Sequence, residues 1–188
     1  GWSGSNVNIS RDTTWANRMD GTGALRISEP ISYADTYYGA AAIGPTVSLT
    51  GGVEYTFAFA AKASKIRTLQ VALGDVTEEV TVPDEWVRRV VTFEAPRTGT
   101  YRLRFNVGKE DSVVWIDSIY LFRGNADVLR RDFDNATVVV NATPSRRTVD
   151  LGGTFRRIRG TGQDPINDGS TVRQVTIEPY DSAILIRP

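Results

Sequence analysis

The stretch Tyr101-Arg102-Leu103-Arg104-Phe105-Asn106-Val107 sets the fold class of this chain. Its odd positions are apolar and its even positions are polar, so the pattern has a period of two. Side chains alternate between the two faces of a β-strand, whereas a helical pattern repeats every 3.6 residues. The stretch therefore predicts a strand with one face in the core and one polar face outside. Residues 55–60 and 68–73 show similar alternation and predict the same structure.

Turn-forming residues break the first part of the chain into short segments. They stand in pairs between the apolar runs, as at Asp20-Gly21, Gly51-Gly52 and Gly74-Asp75. We predict strands near residues 5–9, 23–28, 37–43, 45–49, 53–63, 67–73, 76–82, 87–94, 99–107 and 113–122. About ten short strands at this spacing are typical of a jelly-roll β-sandwich, in which two sheets cover each other's apolar faces.

A second block of strand-like segments follows Arg123-Gly124-Asn125. Its segments lie at 128–133, 137–141, 147–151, 155–159, 172–177 and 183–186, and the polar run 160–170 predicts a surface loop. A block of about 64 residues is near the size at which a lone core becomes marginal. We therefore predict an all-β chain of two domains, a jelly-roll sandwich over 1–123 and a small antiparallel β domain over 126–188.

Composition narrows the function classes. The 22 Lys and Arg residues equal the 22 Asp and Glu residues, so no net field recruits nucleic acid or an anionic membrane. The 188 residues include no histidine and no cysteine, which removes the commonest general base and any thiolate nucleophile. No apolar run approaches the roughly 20 residues that span a membrane. These absences favour a binding protein over an enzyme.

Four motifs carry a resemblance to a known family: 23–27 (GALRI), 51–57 (GGVEYTF), Trp86 with Phe93, and 114–119 (VWIDSI). In this order and spacing they resemble the family 4/9/22 carbohydrate-binding modules over roughly residues 1–123. The resemblance implies a β-sandwich that binds a polysaccharide, such as xylan or a β-glucan, in a cleft on one sandwich face.

The second block is similar to the C-terminal β domain that caps barrel-type glycoside hydrolases. The residues that carry this likeness are 131–135, 138–141, 149–152 and 175–179, with Ile184-Leu185. A (β/α)₈ barrel of roughly 250 residues cannot fit in this chain. The resemblance therefore implies a non-catalytic fragment of a larger secreted, bacterial glycoside hydrolase, with the catalytic domain of the parent chain as its partner.

The polar phase of the predicted strands supplies the candidate site residues. A sugar site pairs an aromatic platform with amide and guanidinium groups, which fix the hydroxyl groups. The hydrogen-bonding candidates are Gln70, Arg102, Arg104 and Asn106, and we expect Ala58, Ala60 and Ala72 to form a small-residue floor. The two arginines would also suit an acidic sugar by bidentate pairing. Alternatively, Arg102 and Arg104 form a solvated charged face that has no ligand and opposes aggregation.

Two aromatic positions complete the candidate site. Tyr37-Tyr38-Gly39 resembles the aromatic-glycine pair that the family often carries at the cleft wall. Because neighbouring residues of a strand face opposite ways, we expect Tyr38 to lie outside and Tyr37 inside, with edge packing of both as the alternative. Trp115 either faces the same groove or packs in the core or at its rim. Trp15, in a polar loop, is a further candidate platform.

The resemblance also bears on cofactors. In the family, an Asn-Pro-Gly-Phe-Glu-like strand before the first Gly-Trp often contributes to a structural calcium site. That site lies beside the aspartate that corresponds to Asp117. The present sequence opens at this Gly-Trp, which is Gly1-Trp2, and reads as a processed or excised piece. The resemblance thus implies a structural calcium ion at Asp117 as an optional feature and no required cofactor.

Two other function classes are weighed against binding. A glycosidase needs two carboxyl groups roughly 5 to 10 Å apart across a cleft. The neighbours Glu78 and Glu79 point to opposite faces of a strand, and the polar face of the sandwich offers no such pair.

A structural spacer of a glycoside hydrolase would keep the same core pattern without binding sugar. An exposed aromatic beside Gln70 and Asn106 would distinguish binding from the spacer.

Overall fold

The computed structural model describes residues 1–28, 36–161 and 167–187. The chain forms two compact units, 1–124 and 125–188. Each unit is described by itself. Apart from one 3-10 turn at Trp15–Asn17, the regular structure of the described residues consists of β-strands, which confirms the predicted all-β class.

Ten strands belong to the first unit. They are β1 (Ser3–Ser5), β2 (Asn8–Asp12), β3 (Ala24–Ser28), β4 (Ala41–Leu49), β5 (Glu54–Ala63), β6 (Arg67–Leu73), β7 (Val76–Val82), β8 (Val87–Glu94), β9 (Gly99–Asn106) and β10 (Val114–Arg123). They pair antiparallel in two five-stranded sheets. The front sheet has the order β1-β4-β9-β6-β7, and the back sheet has the order β2-β3-β10-β5-β8. This is the two-layer arrangement of a β-sandwich, as the sequence predicts.

The core of the first unit fills the space between the two sheets. Along β9, Tyr101, Leu103 and Phe105 are buried while Arg102 and Arg104 are exposed, as the period of two predicts. Aromatic rings from both sheets meet in this core, with the ring centres of Phe59 and Phe105 5.1 Å apart. The outer face of the front sheet is therefore the polar phase of its strands.

Three details of the predicted strands are wrong. Residues 37–40 form a turn, not the start of a strand, because the carbonyls of Tyr37 and Ala40 accept the N–H groups of Gly108 and Val107. The two strands predicted at 37–43 and 45–49 are one strand, β4, whose register shifts between Ile43 and Thr46. The single strand predicted at 5–9 is divided between β1 and β2, which belong to different sheets.

The predicted alanine floor is also wrong in part. Ala58 and Ala60 lie on β5 in the back sheet, whereas Ala72 lies on β6 in the front sheet. Alternation in a sequence shows which face of a strand is polar, but it does not show which of two sheets the strand joins. Ala72 alone therefore shares a sheet with Arg104, its neighbour across the β6–β9 pair.

The second unit contains one five-stranded antiparallel sheet. Its strands are β11 (Val128–Asp132), β12 (Ala136–Asn141), β13 (Arg147–Arg157), β14 (Thr171–Ile177) and β15 (Asp181–Ile186), in the order β11-β12-β15-β13-β14. The segments predicted at 147–151 and 155–159 are joined in β13, whose register shifts between Asp150 and Phe155. Its core is built by seven buried apolar residues, which are Val139, Leu151, Phe155, Val175, Ile177, Ala183 and Leu185.

A buried amide organises the turns of the second unit. Asn141 donates from Nδ2 to the carbonyls of Ser145, Ile177 and Glu178, and its Oδ1 accepts from the N–H and hydroxyl of Thr143. A buried side-chain amide is stable only when its donors and acceptors are paired, as they are here.

Over the described ranges, no helix has the length and apolar character needed to span a membrane.

Candidate functional site

A groove of about 300 Å³ lies on the outer face of the front sheet. Strands β9, β6 and β7 place its residues side by side, since Ala72 lies opposite both Arg104 and Thr77. The residues that line the groove are Tyr38, Ala72, Gly74, Asp75, Thr77, Arg102, Arg104 and Asn106. Candidates that are far apart in the sequence are thus brought to one surface by strand pairing.

Tyr38 forms an aromatic wall of the groove. Its side chain is 64% exposed, whereas the neighbouring Tyr37 is only 6% exposed. The Tyr37 hydroxyl lies 2.9 Å from Thr68 Oγ1 and 3.1 Å from Glu79 Oε2, and Lys109 Nζ lies 4.9 Å from the ring centre. The prediction that Tyr38 lies outside and Tyr37 inside is confirmed. Tyr37 anchors the turn that presents Tyr38.

The turn that carries Tyr38 is seated on Gly108. The Gly108 N–H donates to the Tyr37 carbonyl at 3.0 Å. A Cβ atom at Gly108 would lie 2.9 Å from the backbone nitrogen of Ala40 and 2.9 Å from the carbonyl oxygen of Thr36, closer than a methyl group allows. Only glycine lets the two backbones approach this closely. The position of Tyr38 therefore depends on Gly108.

Arg67 holds the segment that contains Gly108. It is 2% exposed and donates to the carbonyls of Val107 (2.6 Å), Ser112 (2.7 Å) and Thr68 (3.2 Å). Burial lowers the pKa of Arg67, and the carboxylate of Glu110 opposes that shift. Arg67 is not among the candidate residues that the sequence pattern predicts. Its signal is an arginine in the apolar phase of a strand, two residues before Leu69.

Gln70 and Asn106 form a paired amide at the base of the groove. They lie opposite each other across the β6–β9 pair, and Asn106 Nδ2 donates to Gln70 Oε1 at 3.0 Å. Both side chains are buried, so the pair forms a floor and does not project into the groove. Asn106 Oδ1 has no donor among the described residues.

Arg102 and Arg104 supply the exposed charge of the groove. They project from the polar phase of β9, and neither forms an ion pair with a carboxylate in the part of the chain that the structure describes. The nearby Asp75 carboxylate lies 3.5 Å from Arg97. The guanidinium groups of Arg102 and Arg104 can therefore turn toward a ligand that crosses the groove.

Trp115 does not share this surface. It lies on β10 in the back sheet, and its indole N–H donates to Asp12 Oδ2 at 2.8 Å while Lys62 Nζ lies 5.6 Å from its ring centre. The prediction that it faces the same groove is wrong. The cause is again that the sequence pattern does not assign a strand to one of the two sheets.

The surroundings of Asp117 do not fit a calcium ion. Its Oδ2 accepts the N–H groups of Met19 and Asp20 at 2.8 and 2.9 Å, and its Oδ1 accepts the N–H of Ser118 at 2.7 Å. Calcium takes six to eight oxygen ligands, whereas here N–H donors occupy both carboxylate oxygens. Within 1–28, 36–161 and 167–187, no three acidic, histidine or cysteine side chains gather as a metal site.

Asp12 and Asp117 instead fasten the loop that joins β2 to β3. Asp12 accepts the N–H of Thr14 at 2.9 Å through Oδ1 and the side-chain amide of Asn17 at 3.0 Å through Oδ2. The Thr14 N–H, followed by the Trp115 indole, lowers the pKa of Asp12 from 3.8 to about 2. Both carboxylates therefore act as backbone anchors in the back sheet.

Comparison with known proteins supports the fold of the first unit. No family model matches the chain, and no curated protein matches it. A solved family 4 carbohydrate-binding module (CBM4) aligns with a TM-score of 0.53 and 18% identity, over 66% of this chain and 95% of that one. An arabinose-bound GH51 α-L-arabinofuranosidase aligns at 0.53 and 9% identity, over 65% of this chain and 23% of that one.

A third solved structure is the N-terminal cellulose-binding domain of β-1,4-glucanase C from Cellulomonas fimi. It aligns at 19% identity with a TM-score of 0.49, over 66% of this chain and 90% of that one. The family 4 module, with a TM-score of 0.53 at 18% identity, establishes the fold alone, and function is argued from the site. The sandwich unit of this chain therefore has the fold of the CBM4-like carbohydrate-binding modules.

Proposed function

We propose that the sandwich unit is a non-catalytic carbohydrate-binding module that holds a polysaccharide chain, such as xylan or a β-glucan, in the groove of the front sheet. The observation that carries this proposal is the exposed Tyr38 ring on an anchored turn, beside Arg102 and Arg104 and above the small Ala72. A sugar ring can stack on an exposed aromatic ring that its own backbone turn holds in place.

The groove offers both kinds of contact that a sugar needs. The Tyr38 ring can cover the C–H face of one residue, and burial of about 60 Å² of apolar surface stabilises a complex by about 1.5 kcal/mol. Arg102 and Arg104 can donate to hydroxyl oxygens. Weak binding is expected, because a shallow site converts little buried area into affinity.

The same surface is poorly equipped for catalysis. Among the described residues that line the groove, Asp75 alone carries a carboxylate, and it lies beside Arg97. Glu79 is engaged with the Tyr37 hydroxyl. Hydrolysis of a glycosidic bond uses an acid and a second carboxylate on opposite sides of the bond. We therefore assign the groove to binding.

The wider role in this proposal is that of an accessory part of a larger secreted bacterial glycoside hydrolase. A binding module raises the local concentration of substrate at a linked catalytic domain without making new catalytic contacts. The second unit would be the C-terminal β domain that its sequence resembles. The CBM4-like fold of the first unit supports this role.

The exposed ring of Tyr38 is the proposed stacking platform for a sugar. Tyr38→Ala removes the exposed ring, so we expect retention on the preferred polysaccharide to fall about tenfold, the affinity equivalent of about 1.4 kcal/mol. Affinity electrophoresis on xylan, β-glucan, mannan and alginate measures this change, and alginate tests whether the two arginines favour an acidic sugar. The matched control is Tyr120→Ala, which removes a tyrosine that is also exposed, at 55%, but lies on the back sheet.

The retention of the two variants distinguishes a sugar-binding groove from a structural spacer. Retention that falls in Tyr38→Ala and persists in Tyr120→Ala supports the groove, while equal retention in all three proteins contradicts it. The spacer reading is favoured by one observation, which is that Gln70 and Asn106 are buried and bonded to each other. No retention of the parent protein on any of the four polysaccharides would establish that reading.

A further inference from the structure

A second depression, of about 500 Å³, lies beside the back sheet. It is formed by the loop that joins β2 to β3 and by Trp86, which directly precedes β8. The residues that line it are Trp15, Ala16, Arg18, Met19, Asp20, Gly21 and Trp86. Because β2, β3 and β8 all belong to the back sheet, this depression is separate from the groove of the front sheet.

Trp15 is the most exposed large apolar side chain of the described residues, at 81%. The Arg18 guanidinium lies over one face of its ring, with Cζ 4.9 Å from the ring centre. Trp86 supplies a second, half-buried indole to the lining. Transfer of exposed indole surface from water to an apolar contact is favourable, so a ligand face that covers the ring stabilises a complex.

The backbone beneath Trp15 is tightly fixed. Asp12 accepts the N–H of Thr14, and Asp117 accepts those of Met19 and Asp20. Lys62 Nζ donates to the Ala16 carbonyl at 3.2 Å. These bonds come from both sides of Trp15 and order the loop before any ligand arrives. A platform that is already ordered loses little conformational entropy on binding.

Polar groups in the depression complement hydroxyl groups. The Nε of Arg18 and the Nε1 of Trp86 have no acceptor among the described residues. The Asp20 carboxylate accepts one N–H, that of Gly21, through Oδ1, which leaves Oδ2 able to accept from a ligand. A buried N–H without an acceptor is destabilising, so a ligand oxygen placed there by a small side-chain adjustment would be stabilised.

These contacts select for a neutral sugar. Arg18 disfavours a cationic ligand above Trp15, and Asp20 disfavours an anionic one. A pyranose ring offers an apolar C–H face to the indole together with hydroxyl groups that both donate and accept. We propose that the Trp15–Trp86 depression binds a neutral pyranose unit or short oligosaccharide as a second carbohydrate site. This site is independent of the groove on the front sheet.

Indole N–H resonances test the proposal directly. The chain contains four tryptophans, so a ¹H–¹⁵N spectrum resolves four indole signals that single Trp→Phe variants assign. We titrate the intact chain with xylotriose, cellotriose, mannotriose and galactotriose. The expected result is a saturable shift of the Trp15 and Trp86 signals with at least one trisaccharide. The Trp115 signal, whose N–H is bonded to Asp12, stays in place.

Two variants separate this site from the groove. Trp15→Ala should weaken the titration followed at Trp86 by about tenfold, since the platform is lost while the Asp12 and Asp117 anchors remain. Tyr38→Ala should leave the shifts at Trp15 and Trp86 unchanged. Shifts that vanish in Tyr38→Ala, shifts that persist in Trp15→Ala, or an absence of shifts with all four trisaccharides would each overturn the proposal. Failure of the groove alone would affect only the polysaccharide retention measured with Tyr38→Ala.

Discussion

At the scale of single residues, the sandwich unit uses buried and half-buried polar side chains to fix backbone segments. Arg67 binds the carbonyls of Val107 and Ser112, and Asp117 binds the N–H groups of Met19 and Asp20. A charged group in such a position satisfies several backbone groups that would otherwise lack partners. In the sequence, a charged residue on a strand could equally indicate a ligand site. The hydrogen bonds of Arg67 and Asp117 to the backbone show that these two residues hold the fold together.

The pH dependence of stability follows from Asp12. Its pKa is lowered from 3.8 to about 2 in the folded chain. Its contribution to the free energy of unfolding is therefore complete above pH 3.8 and is lost as the pH falls through 2. Because the carboxylate is close to solvent, we expect a contribution of about 1 kcal/mol.

Urea unfolding at pH 5 and pH 2.5 measures the contribution of Asp12 to the free energy of unfolding. Asp12→Asn should lose stability at pH 5 and show a smaller decrease between the two pH values than the parent chain. Asp75→Asn is the matched control, because Asp75 forms only an exposed pair with Arg97. Identical pH dependence in the parent chain and in Asp12→Asn would contradict the assignment.

At the scale of elements, the candidate groove depends on one turn packed against another. The 36–40 turn lies on Gly108, and the 107–112 segment that contains Gly108 is bound by Arg67. This support lies outside the groove itself. The orientation of Tyr38 therefore depends on residues that a ligand would not touch, as is common where binding groups lie on loops over a rigid scaffold.

Gly108→Ala tests this dependence. A Cβ atom 2.9 Å from two backbone atoms forces the 36–40 turn away from its seat, so polysaccharide retention should fall about as far as in Tyr38→Ala. Overpacking of this kind costs about 1–3 kcal/mol of folding free energy. Affinity electrophoresis and thermal unfolding measure the two effects.

Gly99→Ala is the control for that substitution. A Cβ atom at Gly99, at the start of β9, meets only Tyr101 at 3.9 Å, which is an ordinary contact. We expect it to retain the binding and the stability of the parent chain. Equal retention in Gly108→Ala and Gly99→Ala would show that the turn does not position the platform.

At the scale of the whole molecule, each of the two units has its own core. The sandwich unit is built around a cluster that includes Phe57, Phe59 and Phe105, whereas the described residues of the second unit bury seven apolar side chains. A core that is complete within one unit does not require the other for folding. The assignment of the units as a binding module and a hydrolase cap stays a prediction.

A fragment of residues 1–124 tests this independence. We expect it to unfold in one cooperative transition and to retain the polysaccharide binding of the full chain, since the groove residues all lie within it. Circular dichroism and affinity electrophoresis measure the two properties. Fragment 125–188 should be less stable, because a unit of this size has a marginal core. A disordered 1–124 fragment would contradict the prediction.

Much of the fold could be predicted from local patterns, and less of the site. Alternation located β6, β9 and β10 closely, because burial of one strand face imposes a period of two. The predicted sides of Tyr37 and Tyr38 are correct, but strand alternation is not the reason, because residues 37–40 form a turn. Alternation failed for Ala58, Ala60 and Trp115, since their sheet is fixed by long-range pairing. Arg67 and Gly108 were missed because their roles depend on contacts that are distant in the sequence.

The sequence alone determined that this chain is all-β, and which residues of each strand face away from the core, because side-chain direction follows from the backbone of a single strand. Only the tertiary structure decided which strands share a sheet. It also placed Tyr38 with Arg104 on the front sheet and gathered Trp15 and Trp86 beside the back sheet. Strand pairing joins segments far apart in the chain, and no local pattern carries that information.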